Sequence, residues 1–118
     1  MVARGRASSR PRLPRRGAVY RVGLDPTRGS EIKKSRPCVV VSPDPLNENL
    51  RTVIIAPLTT GGRPYPWRVT CRFQEQEGCI ALDQLRTVDR QRLVDYMGEL
   101  PEQTMATVLA NLVEMFVA

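Results

Sequence analysis

Two β-branched apolar runs lie close together near the middle of this chain and constrain its fold more than any other feature. Pro37-Cys38-Val39-Val40-Val41 is apolar throughout, and residues 52–58 set Thr52, Val53, Ile54 and Ile55 in succession. Each run is too short for a buried helix. β-Branched side chains also lose rotamer freedom in a helix and pack well on a pleated surface. Both runs therefore read as buried central strands. Pro37 suits the start of its strand, where a missing N–H breaks no ladder bond. Residues 42–49, between the runs, hold two prolines and two asparagines and read as a loop.

Shorter segments flank this pair. Residues 18–22 read as a first strand, followed by the turn formers Asp25-Pro26-Thr27-Arg28-Gly29-Ser30 and a polar stretch to Ser35. Residues 59–64 read as a loop. Residues 67–73 alternate apolar and polar as a half-exposed strand should, and residues 79–82, 84–88 and 96–100 supply three more short strands. Many short strands at this spacing predict a small barrel. The period then changes. Met105, Val108, Leu109, Leu112, Val113 and Phe116 recur at helical spacing along one face, with Pro101 and Glu102 suited to a first helical turn. That apolar stripe is expected to pack on the barrel, giving a mainly β (α+β) fold with a C-terminal helix.

A chain of 118 residues has room for one domain. Six aromatic residues are few for a sheet that stacks bases. No apolar run approaches the ~18 residues of a membrane span, and no apolar stretch follows the N-terminal arginines, so a cytoplasmic protein is expected. The net charge of +6 suggests a nucleic-acid partner, but six arginines and no acid fall within residues 1–16, and the remainder is balanced. Residues 1–16 thus read as an Arg-rich flexible arm, either a solvated tail or a weak tether for phosphates, and residues 17–118 as the domain. Cys38, Cys71 and Cys79 form no CxxC, and histidine is absent. No metal site and no cofactor are expected, and the cysteines read as reduced strand residues.

Several segments in order resemble one family. Arg16-Gly17-Ala18-Val19-Tyr20, then Asp25-Pro26-Thr27-Arg28-Gly29-Ser30-Glu31, then Arg36-Pro37-Cys38-Val39-Val40 resemble the opening of the MazF/PemK/Kid toxins. Pro57-Leu58-Thr59-Thr60, Ala81-Leu82-Asp83-Gln84 and Arg86-Thr87-Val88-Asp89 continue the match, which spans residue 16 to the end. The resemblance implies a small SH3-like barrel of the CcdB/PemK kind, a homodimer and a cognate MazE-like antitoxin. It also implies a sequence-specific endoribonuclease that cuts single-stranded mRNA without a metal and so stops translation and growth. The RNA's 2′-OH would attack the adjacent phosphorus, leaving a 2′,3′-cyclic phosphate and a 5′-OH. Such a step needs a base, an acid and positive charge on the crowded phosphorane.

By the same resemblance Arg36 matches a catalytic arginine, whose planar fork suits phosphate oxygens. Thr59 matches a catalytic threonine, and Glu31 a loop carboxylate used as base in some members. Arg28, Ser30, Lys33, Lys34, Thr60, Gln84 and Arg86 are the candidate RNA contacts, Gln84 for a base edge and the cations for phosphates. Plainer readings stand beside these: a strand-end salt bridge for Arg36, a turn for Thr59, and a surface ion pair with Arg28 or the lysines for Glu31. Departures in residues 32–35 and 61–67 predict a cleavage motif of its own. Two other functions remain open. One is a CcdB-like gyrase poison, although Met115-Phe116-Val117-Ala118 lacks the tryptophan such proteins use there. The other is an SH3-like RNA-binding module without catalysis.

Overall fold

The computed structural model describes residues 13–24, 28, 29, 31, 34–61 and 66–118. Its strands are β1 (Ala18–Gly23), β2 (Ser35–Val40), β3 (Thr52–Thr60), β4 (Arg68–Phe73), β5 (Gln76–Ala81), β6 (Arg86–Asp89) and β7 (Leu93–Glu99). Helix α1 (Asp44–Asn49) precedes β3, and α2 (Glu102–Met115) follows β7. Among the described residues the strands form one antiparallel sheet in the order β4-β5-β3-β2-β1-β7, with β6 beside β3. β3 is the corner. Its first half pairs with β6, its second half with β5, and its other edge with β2.

The two edge strands, β4 and β7, share no ladder, so the small barrel is not closed by backbone hydrogen bonds. Side chains span the gap. Gln74 Nε2 donates to the Met97 carbonyl at 3.2 Å. The Phe73 ring covers Gly98, where an added Cβ would lie 3.6 Å from ring carbon Cε1.

Alternation along the central strands feeds two cores. Val19, Val39, Ala56, Leu58, Val69 and Ile80 meet Leu100, Met105 and Val108 at α2. On the opposite face Tyr20, Val22, Cys38, Val40, Val53, Ile55, Val88 and Leu93 pack together. Burial on both faces explains why residues 37–41 and 53–58 are apolar without a break. Arg16 ties the chain before β1 to this frame. Its Nε donates to the Val41 carbonyl and its N–H to Asp44 Oδ1, both at 2.8 Å.

Several expectations shift. Residues 42–49, expected as loop, contain α1, because Pro43 and Pro45 fall at its start, where a missing N–H is harmless. Its buried anchor is Asn47, which accepts from Ser42 Oγ at 2.5 Å and donates to the Ser42 carbonyl at 3.0 Å. β3 runs on to Thr60, so Thr59 and Thr60 are strand residues rather than loop. Leu82–Gln84 forms a 3₁₀ turn, which removes Gln84 from the strand expected over residues 84–88. The stripe of α2 divides: Met105 and Val108 are buried, whereas Val113 and Phe116 are 64% and 73% exposed. Leu112 and Met115 still pack partly on the barrel, so the stripe is covered along one side and open on the other.

A bidentate ion pair fixes the 3₁₀ turn to β4. Arg68 Nε and Nη2 donate to the two carboxyl oxygens of Asp83 at 2.6 and 2.9 Å. These hydrogen bonds outweigh partial burial and hold the Asp83 carboxyl below its ordinary 3.8. The pair's contribution to stability is therefore fully present above pH ~4 and is lost as pH falls through the depressed value. Asp83→Asn should flatten the stability profile below pH ~4, with a loss at neutral pH of no more than ~1 kcal/mol because solvent screens the pair. Urea midpoints measured from pH 2.5 to 7 check this, and an unchanged slope in the variant would refute it.

Candidate active site

Strand register brings together the two residues singled out as catalytic. β2 and β3 pair with Cys38 opposite Pro57 and Val39 opposite Ala56. Continued two residues outward, that register sets Arg36 opposite Thr59, and Thr59 in turn faces Cys79 of β5. Directly opposed residues in an antiparallel pair share a face. Arg36 and Thr59, both half-buried, line a cleft of about 160 Å³ together with Thr60, Pro37, Leu58, Cys71 and the β4–β5 hairpin.

One glycine permits this geometry. A Cβ at Gly78 would lie 2.0 Å from the Thr59 carbonyl oxygen and 3.1 Å from its carbon, a backbone clash with no flexible side chain to yield. Gly78 thus lets β5 press against β3 where Thr59 stands, and it forms part of the cleft wall. In the sequence it looks like an ordinary strand glycine.

The electrostatics are local. Burial pushes the Cys38 thiol up to about 12, partly offset by the Arg86 and Arg36 guanidinium charges. Two cations therefore converge on one sulfur in a domain otherwise balanced in charge. Cys71 is raised to about 11 by burial and by Cys79. Neither thiol supplies a thiolate nucleophile at neutral pH.

On the β1–β2 connection, the Glu31 carboxylate accepts from the Arg28 backbone N–H, and the Glu31 N–H donates to the Arg28 carbonyl at 3.0 Å. Glu31 thus caps a turn at the surface and is not among the cleft-lining residues. Lys34, exposed, adopts φ +68° just before β2, a strained conformation for a lysine. At the root of the same connection, Arg86 donates to the Leu24 carbonyl and Arg92 to the Gly23 carbonyl at 3.0 Å, so both guanidinium groups secure the end of β1. Gln84 is half-buried in its 3₁₀ turn, away from the cleft lining. Ser30, Lys33, the turn at residues 25–27, the loop at 62–65 and the arm over residues 1–12 lie outside the described residues. Among the described residues no three metal-ligating side chains come together, and no helix is long and apolar enough to cross a membrane.

Residues 15–116 match the family described as PemK-like, MazF-like toxin of type II toxin-antitoxin system, and the chain belongs to that family. It is 35% identical over 100 residues to an endoribonuclease MazF of Staphylococcus epidermidis, covering 80% of this chain and 83% of that one. It is 36% identical over 76 residues to the endoribonuclease toxin MazF of Escherichia coli K12, covering 64% and 68% respectively. Among solved structures, MazF of Deinococcus radiodurans superposes with a TM-score of 0.77 at 26% identity, covering 89% of this chain and 97% of that one. A mycobacterial endoribonuclease in complex with its cognate antitoxin gives 0.73 at 28% identity, covering 86% and 92%.

The Gly78 contact is open to test. Gly78→Ala should destabilise the domain by about 1–3 kcal/mol through overpacking against the Thr59 carbonyl. Gly23→Ala, with nothing within 4 Å of the new Cβ, should change stability by less than ~1 kcal/mol. Equal urea midpoints for the two variants would show that the close approach constrains nothing.

Proposed function

We propose that this chain, as an endoribonuclease of the PemK/MazF-like toxins, cuts single-stranded RNA by attack of the RNA's own 2′-OH on the adjacent phosphorus. The products carry a 2′,3′-cyclic phosphate and a 5′-OH, and loss of mRNA stops translation. The observation that carries this reading is the register of Arg36 against Thr59 in one cleft, with the Arg86 charge close by. Arg36 offers its fork to the non-bridging oxygens as charge builds on the phosphorane. Thr59 donates to a phosphate oxygen or orients the 2′-OH. Neither group needs a metal to do this.

The proton acceptor is the Glu31 carboxylate, which RNA binding would draw away from the Arg28 N–H. Arg28, Lys33 and Lys34 hold phosphates, Ser30 and Thr60 add hydroxyl contacts, and Gln84 and Arg86 meet the strand further along. The arginines of residues 1–14 add affinity without reading bases. The protein acts in the cytoplasm, where mRNA lies, and a MazE-like antitoxin restrains it, as the mycobacterial relative's cognate antitoxin suggests.

Purified protein should cut long single-stranded RNA in EDTA and leave 5′-OH ends. Arg36→Ala should lower the rate ~10²-fold or more while staying folded, and Arg36→Lys should also be weak because a point charge cannot replace the fork. Cleavage that requires added magnesium, or products bearing 5′-phosphates, would overturn the mechanism.

The working form is a homodimer. Val113 on α2, and Phe116 and Val117 just beyond it, are apolar and exposed, and a second subunit would both hide them and widen the RNA groove. Sedimentation at low micromolar concentration should show twice the 13.3 kDa chain mass, and Phe116→Glu should shift the protein toward monomer. A monomer that cuts RNA at full rate would refute the dimer.

A further inference from the structure

The far wall of the cleft is chemically unlike the wall that carries Arg36. Phe73, Gln74, Gln76 and Glu77 of the β4–β5 hairpin build it. Phe73 faces Gln76 in register, so Gln74 and Glu75 alone make the turn, at φ +52° and +63°. Two-residue hairpin turns of this kind need positive φ at both positions and ordinarily use Asn-Gly. Larger side chains there are strained, and such strain concentrates at ligand sites. Two contacts described above hold the tip in place: the Gln74 amide on the Met97 carbonyl and the Phe73 ring over Gly98. The Gln76 amide lines the cleft and makes no hydrogen bond among the described residues.

Charge decides what fits there. Among the described residues lining the cleft, Arg36 is the only cation, and it stands on the opposite wall. The hairpin wall offers an aromatic ring, two amides and the Glu77 carboxylate, whose Oε2 lies 3.2 Å from Arg72 Nη1. A phosphate gains nothing from this wall. A flat neutral group with donors and acceptors on its edge gains stacking on the ring and hydrogen bonds to amides that both donate and accept.

We propose that the β4–β5 hairpin forms a nucleobase subsite, in which Phe73 provides the stacking surface and Gln76 reads the edge of one base beside the cleaved phosphate. This rests on Arg36 and Thr59 being the centre of RNA cleavage. Arg36 anchors the phosphate at one wall, and the adjoining base turns into the other. The hairpin is then a specificity element on a rigid frame, separate from the β1–β2 connection that carries the basic residues.

Gln76→Ala is the decisive variant, because Gln76 is exposed and its loss breaks no hydrogen bond among the described residues. Mapping of 5′-OH ends on long RNA should show relaxed preference at one position beside the cut, with the others unchanged. On the parent's preferred short RNA, kcat/KM should fall on the order of tenfold. Phe73→Leu, which keeps an apolar side chain over Gly98, should raise KM without altering the motif, since stacking tolerates every base. A Gln76→Ala protein that cuts the parental motif at parental kcat/KM overturns the subsite alone. A parent protein that cuts no RNA overturns the reading of Arg36 and Thr59, and the subsite with it.

Discussion

The pairing of β3 with three neighbours holds this domain together. A nine-residue strand is long for so small a protein, and its two halves serve different partners: β6 beside Thr52–Ile55 and β5 beside Leu58–Thr60, with β2 along the other edge. Because it turns the corner of the sheet, its side chains enter both cores: Val53 and Ile55 one, Ala56 and Leu58 the other. The site is the end of this strand. Thr59 keeps its place because Leu58 is fixed in the core one residue before it and Gly78 lets β5 close on its carbonyl. Chemistry placed at the end of the most constrained strand needs little further support.

The same layout explains how a domain of balanced charge presents a local field. Arg36 and Arg86 come from β2 and β6, which flank different parts of β3, yet both act on Cys38. Arg86 and Arg92 also donate to the carbonyls where β1 ends. One set of guanidinium groups therefore braces the root of the β1–β2 connection and supplies positive potential near the cleft.

Much of the frame was legible in the sequence, because buried central strands and an amphipathic helix leave strong periodic signals. Arg36 and Thr59 were legible only through their family segments, since neither an arginine at a strand end nor a threonine near a loop stands out alone. What escaped the sequence shares one cause: contacts between segments far apart in the chain. Pro43 and Pro45 look like loop signals until buried Asn47 folds the segment onto Ser42. Gln74 and Glu75 carry no Gly or Asn to mark a tight hairpin, and what holds them is Met97 and Gly98 of β7. The α2 stripe announced a helix correctly but not that Val113 and Phe116 would stay exposed while Leu112 and Met115 pack.

The pairing of β1 with β7 has a consequence for synthesis. Ala18 lies opposite Glu99, and Val19 opposite Gly98, so the outer edge of the first strand stays open until nearly the whole chain has been made. The cleft's hairpin wall waits on the same event, because Gly98 and Met97 arrive only with β7. Pairings this distant in sequence form slowly compared with local turns and helices. A chain that has not yet reached β7 thus lacks the two contacts that brace the tip of the hairpin wall.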